Sequence, residues 1–229
     1  MPETPSRGRS SNRILARVSR EDFALLEPHL QAVELPVRKS IEVRKKLISQ
    51  VYFVESGFAS VVANGSSKPS IEVGIIGREG MTGLGIVLGN DRAQHETYIQ
   101  AAGTGLRISA ANLRKVDEQA PTLHRAILRY ANSFIQQTTT TALANGRSKM
   151  EERLARWLLM ADDRIDGKEL PLTHEFLGLM LGTYRPGVTK AINALVQEGL
   201  IAARRGGITI LDRECLEKRS NGTYVPAEG

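Results

Sequence analysis

Between Glu169 and Arg213 the chain reads ELPLTHEFLGLMLGTYRPGVTKAINALVQEGLIAARRGGITILDR, and this stretch limits the possible folds more than any other. Thr173 can cap free backbone N–H groups at the start of a helix, and Glu175 sits in the first turn, where the helix dipole favours negative charge. Phe176, Leu177 and Met180 then share one face. Gly182, free to take a positive φ, ends that helix. A second pattern begins at Tyr184 or Arg185 with Pro186 in its first turn, where a missing N–H does no harm. Val188, Ile192, Leu195 and Val196 fall at i, i+4, i+7 and i+8, so the second helix buries one stripe and turns Arg185, Gly187, Thr189, Lys190 and Asn193 to other faces. After Gly199, the runs Leu200 to Ala203 and Ile208 to Leu211 flank Arg204, Arg205, Gly206 and Gly207, a hairpin with a cationic turn.

Two short helices joined by a sharp turn and followed by a basic hairpin form the layout of a winged helix-turn-helix, whose second helix enters the DNA major groove. The stretch also resembles the C-terminal region of the Crp/Fnr superfamily of bacterial transcription regulators. Leu170, Pro171, Leu172, Thr173, Leu177, Leu181, Gly182, Arg185, Val188, Leu195, Gly199, Leu200, Ile201, Ile208, Ile210 and Asp212 stand where that family's pattern places these residue types. The resemblance implies that Arg185 reads a base. Thr173, Thr183, Tyr184, Pro186, Gly187, Thr189 and Lys190 are the accompanying candidates at the DNA, with Arg204 and Arg205 of the wing on phosphates. Pro186 replaces a glutamate that reads the next base pair in many relatives, so the preferred half-site should differ from theirs.

At 229 residues the chain has room for two domains. Its formal charge of +6 suits an anionic partner, but residues 147–229 hold 13 Lys and Arg against 12 Asp and Glu, so the local arrangement matters more than the total. The single cysteine, Cys215, excludes an intrachain disulfide and agrees with a reducing cytoplasm. No apolar run approaches the roughly 18 residues of a spanning helix, and the first residues lack the apolar core of a signal peptide, so neither a membrane partner nor a leader is expected.

The fold expected is α+β, in four parts: a flexible N-terminal arm over 1–12, an antiparallel β-roll or jelly roll over 13–120, a long helix with a hinge over 121–148, and the winged helix-turn-helix over 149–229. The β-roll is read from short β-rich runs between about Asn12 and Leu113, broken by Gly, Ser, Asn and Pro, with a helix at Glu21 to Leu30 before the first strand. Within it, Tyr52, Phe53, Ser56 and Gly57, and then Gly77 to Met81 with Gly83 and Leu84, resemble the superfamily's cyclic-nucleotide-binding-like effector domain. In the long helix, Leu123, Ile127, Tyr130, Phe134, Gln137, Thr141 and Ala144 alternate spacings of four and three, the seam of a two-helix coiled coil. The same spacing also suits an internal amphipathic helix packed on the β-roll. The resemblance favours a homodimer interface built from Leu123, Ile127, Tyr130, Phe134 and Thr141. A further helix at MEERLARWLLMADDRI, with Leu154, Trp157, Leu158 and Ala161 in line, would support the DNA-binding unit.

Relatives that bind cyclic AMP hold its ribose with a carboxylate in a Gly-Glu-(Leu/Ile)-Gly turn and its phosphate with an Arg-(Ser/Thr)-Ala triplet. Here the turn is Gly80-Met81-Thr82-Gly83 and the triplet reduces to Arg92-Ala93, so the usual motif is degenerate. Candidate effector contacts are Arg78, Glu79, Met81, Thr82 and Arg92, with Thr138 and Thr139 resembling in position the helix residues that touch the purine. The cofactor stays unknown. One cysteine excludes a four-thiolate cluster within one chain, and a haem ligand would have to come from His29, His95 or His124. Cys215 suits packing or a redox switch. No nucleophile–base motif supports an enzyme, and no metal-ligand spacing is present. The sequence therefore reads as a homodimeric regulator of the Crp/Fnr type acting on a palindromic duplex in the cytoplasm, with RNA polymerase as the partner the resemblance implies. An effector-independent regulator and a protein-interaction module that does not bind DNA are the alternatives.

Overall fold

The computed structural model describes residues 10–64, 70–167 and 169–227. Residues 1–9 of the expected arm lie outside this range. By contact the chain forms two units, one comprising residues up to Val61 with Ile76–Ile135, the other Val62–Ile75 with Gln136–Ala227.

The first unit opens on two short helices, α1 (Arg13–Ala16) and α2 (Arg20–Leu26), the second running into a 3₁₀ turn at Glu27–His29. The 3₁₀ turn carries Pro28 at its start, which splits the single helix expected from Glu21 to Leu30. Helix α1 was not anticipated. Asn12 caps it, accepting from Ile14 and Leu15 N–H, while its Nδ2 donates to the Val54 and Gly80 carbonyls at 2.9 and 2.8 Å. A fully buried Asn12 is thus part of the folded roll rather than of the arm.

The strands are β1 (Gln31–Leu35), β2 (Ser40–Glu42), β3 (Gln50–Val54), β4 (Phe58–Ala63), β5 (Ile71–Ile76), β6 (Glu96–Ala101) and β7 (Gly103–Ser109). They form two antiparallel sheets, ordered β1-β7-β3 and β2-β6-β4-β5. Register is set by the apolar face: Val51 pairs Ile108 and Phe53 pairs Leu106, all four buried. The β-rich pattern read through to Leu113 ends earlier, because Ser109 accepts from Asn112 N–H and starts α3 (Ala110–Asp117).

Helix α4 spans Pro121–Arg147, the boundaries read from the sequence. The helix α5 (Met150–Asp162) follows, with Glu152 reaching back to accept from Lys149 N–H at 2.9 Å, so the break falls at Ser148-Lys149. In α5 Leu154, Trp157, Leu158 and Ala161 are buried as expected, but so are Ala155, Arg156, Leu159 and Met160, which makes it a central helix covered on all sides. Around it in the second unit lie α6 (His174–Met180), α7 (Arg185–Gln197), the hairpin β8 (Ile201–Arg204) and β9 (Gly207–Ile210), and α8 (Arg213–Arg219).

Two polar contacts tie the β4–β5 segment into this second unit. The Gln137 side chain accepts from Ile75 N–H at 2.7 Å and donates to Ile75 O at 3.1 Å, completing an edge that would otherwise be open. The Trp157 indole N–H donates to Glu72 Oε1 at 2.5 Å, both residues buried. Beside them Arg156 donates to the carbonyls of Thr223 and Gln137 at 2.8 and 3.2 Å. Burial depresses the Arg156 guanidinium to about 10, and the neighbouring Glu72 charge acts the other way.

Candidate nucleic-acid interface

Thr173 caps α6 by accepting from Phe176 N–H at 3.2 Å, and the helix stops at Leu181, after which Gly182 takes φ +58°. The two helices of the motif then meet closely. A Cβ at Gly178 would stand 2.9 Å from the Thr183 carbonyl, and one at Gly187 2.9 Å from Thr183 Oγ1, so the turn needs both glycines small. Leu177, Val188, Ile192 and Leu195 fill the space beneath, each almost fully buried.

This packing sets the outward face of α7. Tyr184 caps the helix backbone and is 86% exposed, followed by Arg185 with Pro186 in the first turn. Arg185, Pro186, Thr189, Lys190, Asn193, Ala194 and Gln197 line one open groove along α7. Asn193 and Gln197 continue the stripe by one and two turns beyond Thr189, a run that the spacing of four makes legible. Gly187 and Thr183 sit inside the turn instead, where they shape it. The Thr189 hydroxyl donates to Arg185 O at 3.1 Å and lies 3.1 Å from His174 Nδ1 of α6.

The wing is a tight hairpin in which Arg204 pairs Gly207 across Arg205 and Gly206, with Gly206 at φ +84°. Leu170 adds a bridge to Ile208, donating to Ile208 O at 2.8 Å and accepting from Ile208 N at 3.0 Å. The two wing arginines differ. Arg204 is held in a two-pronged fork by the Glu169 carboxylate, while Arg205 stands exposed in the turn. The hydrogen bonds from Arg204, with its charge, hold Glu169 below its ordinary range.

On α4 the heptad residues face inward. Leu123 and Ile127 are fully buried, Tyr130 is 5% and Thr141 9% exposed, and Phe134 is half-buried. Tyr130 packs its ring on Gly80, where any Cβ would collide with it. Of the five residues assigned to a dimer seam, Leu123, Ile127, Tyr130 and Thr141 are thus buried within one chain, and Phe134 is half-buried. Exposure falls on the opposite stripe, Leu128, Asn132, Ile135, Thr139 and Ala142, which steps by four, three, four and three. Leu128 is 42% and Ile135 59% exposed. The sequence carried this second period too, masked by the larger residues of the first.

The β-roll turn expected to face an effector is occupied by the protein itself. Met81 is fully buried and bridges Phe53. Thr82 is buried and accepts from Tyr52 N–H at 3.1 Å. Glu79 accepts from Gly77 N–H at 3.1 Å, and the Arg78 carbonyl accepts from Arg13 N–H at 2.8 Å. Beside the turn, Glu42 accepts from Gly83 N–H at 2.5 Å and from the Thr97 hydroxyl at 3.0 Å. Desolvation raises the Glu42 carboxyl above its ordinary value against those two hydrogen bonds. Arg92 is exposed and donates to Lys45 O at 3.1 Å, apart from the Gly80–Gly83 turn's own bonds. Thr138 and Thr139 belong to the second unit. Asp212 holds the Cys215 thiol above its ordinary range, by a hydrogen bond and then by its charge, which opposes a reactive thiolate. Among the described residues no three His, Cys, Asp or Glu side chains are grouped to hold a metal ion, and no helix is long and apolar enough to cross a membrane.

Residues 152–219 match the family described as the Crp-like helix-turn-helix domain. No curated protein matches the chain. Among solved structures, FixK2 from Bradyrhizobium japonicum is 16% identical, with 82% of this chain and 96% of that one covered at a TM-score of 0.71. A CRP-family transcriptional regulator from Thermus thermophilus is 18% identical, with 86% and 100% covered at 0.70. The c-di-GMP-responsive global regulator CLP from Xanthomonas campestris is 18% identical, with 84% and 99% covered at 0.68. The chain thus carries a Crp-like helix-turn-helix domain at residues 152–219 and has the fold of the Crp/Fnr superfamily of transcription regulators.

Proposed function

We propose that this chain is a homodimeric, sequence-specific DNA-binding transcription regulator, in which two copies of α7 enter successive major grooves of a palindromic duplex about one helical turn apart. The observation that carries the reading is the open groove of α7, where Arg185, Thr189 and Lys190 stand together beyond a closely packed turn. Arg185 is suited to bidentate contact with guanine O6 and N7, and Lys190 to phosphate or guanine. Arg205 meets phosphate at the wing. The compartment is the cytoplasm, and RNA polymerase is the partner that such a regulator acts on.

Two copies meet along the Leu128, Asn132, Ile135, Thr139 and Ala142 stripe. Leucine and isoleucine at seam positions supply apolar burial, and an asparagine in the seam selects a register-specific pair. The DNA reading is tested by selecting bound sequences from a random duplex pool and following affinity with salt. A palindromic preference with a linear fall of log K against log salt is expected. Binding without sequence preference, or none, contradicts it.

A second reading concerns the effector. The Gly80–Gly83 turn is already engaged by Asn12, Tyr130, Tyr52 and Glu42, which supports a β-roll that takes no cyclic AMP at this turn.

A further inference from the structure

We infer that His174, together with the Arg185 carbonyl, sets the polarity of the Thr189 hydroxyl, so that this chain reads a base edge bearing an amino group, cytosine N4 or adenine N6, at the position Thr189 faces. The inference rests on the reading of α7 as the recognition helix and specifies what one of its residues recognises. A threonine hydroxyl has one proton and two lone pairs, and a free threonine can therefore serve either a donor or an acceptor on a base. Thr189 is not free. Its oxygen lies 3.1 Å from the Arg185 carbonyl, which can only accept, and 3.1 Å from His174 Nδ1.

The two imidazole tautomers lead to one result. With Nδ1 protonated, the ring donates to Thr189 and the hydroxyl proton goes to Arg185 O. With Nδ1 bare, the proton goes to the ring or to the carbonyl. In each case the proton points into the protein and a lone pair points outward. Turning the proton toward a base would lose one hydrogen bond and set the oxygen against the carbonyl lone pairs. Purine N7, guanine O6 and thymine O4 only accept in the major groove, whereas cytosine N4 and adenine N6 donate. The outward lone pair suits the second group alone. His174 reaches this position because it begins α6 directly after the Thr173 cap, and the glycine-tight turn brings α6 against α7. It is a positioning residue that touches no base.

The test compares selected duplexes for the native chain, Thr189→Val, His174→Leu and His174→Asn. Affinities are then measured for pairs differing only at the base whose preference Thr189→Val abolishes. The native chain should favour the amino-bearing base by roughly two- to tenfold, the range of one net hydrogen bond. His174→Asn places an amide nitrogen where Nδ1 stood and should keep the ratio, whereas His174→Leu leaves the hydroxyl held by the Arg185 carbonyl alone and should lower the ratio while binding elsewhere in the site is kept. An unchanged ratio in His174→Leu overturns the proposal, as does a native preference for a carbonyl edge at that base. A Thr189→Val pool identical to the native one also overturns it, while leaving the helix-in-groove reading intact. Loss of that reading shows itself separately, as a native chain with no sequence preference at all.

Discussion

At the scale of single residues, the DNA face separates side chains that read from side chains that hold. Arg185 is exposed at the head of α7, and a bidentate arginine–guanine contact is worth about 1–3 kcal/mol, so under the proposed reading Arg185→Ala should weaken the selected site by that amount and relax one guanine per half-site. A random-pool selection on the variant that returns the native preference contradicts the assignment. Arg204 and Arg205, equivalent by sequence, should behave differently. Arg205→Ala should lower affinity for all duplexes alike and reduce the salt slope by about 0.9. Arg204 is engaged by Glu169, so removing the carboxylate with Glu169→Gln should strengthen binding to any duplex and steepen the slope. A fluorescence anisotropy titration at several salt concentrations measures both, and equal losses for Arg204→Ala and Arg205→Ala would mean that the fork opens on binding.

At the scale of elements, α4 carries two stripes with different work. Leu123 and Ile127 are fully buried in the protomer, so Leu123→Ala should cost about 2–5 kcal/mol of folding stability without changing the oligomeric state. Leu128→Asp with Ile135→Asp places charge on the exposed stripe and should give a folded monomer by sedimentation, with specific DNA binding lost because two half-sites need two heads. A persistent dimer would put the interface elsewhere. The β5–α5 contact has its own reporter, since Trp157 is the only tryptophan in the chain. Glu72→Leu removes the acceptor of its indole N–H, and leaving a buried donor unsatisfied costs about 1–3 kcal/mol. Its fluorescence should shift to the red as the segment loosens, whereas Glu72→Gln keeps the acceptor and should shift less.

At the scale of the whole molecule, the β-roll fills its own Gly80–Gly83 turn with Asn12, Tyr130, Tyr52 and Glu42. Cyclic AMP should bind poorly if at all, and calorimetry showing micromolar binding together with a gain in DNA affinity would refute that. Glu42 predicts a pH dependence of stability. Its carboxyl is raised above the ordinary 4.5 by burial, so across the interval just above 4.5 the folded chain keeps a proton that the unfolded chain has released. Stability should fall as pH rises through that interval, and Glu42→Gln should flatten this part of the curve in chemical denaturation. An unchanged profile would show that the carboxyl is not the titrating group.

What the sequence determined by itself was whatever depends on neighbours along the chain. The Thr173 cap, the Gly182 stop, the start of α7 beside Pro186 and the ends of α4 are local: capping, φ freedom and apolar period operate within a few residues, and all were legible. The β-rich run was read past its end because the Ser109 cap competes with strand propensity on a scale of one residue. What only the tertiary structure decided was direction and partnership. A heptad pattern states that a helix buries a stripe, but it does not state against what, and Leu123, Ile127 and Tyr130 are buried within one chain. Charge and hydroxyl count likewise leave Arg204 and Thr189 open to several uses. Glu169, 35 residues before Arg204, and His174, 15 before Thr189, restrict them only once the backbone has brought each pair within hydrogen-bonding reach, because a hydrogen bond acts over about 3 Å and has no representation in sequence spacing.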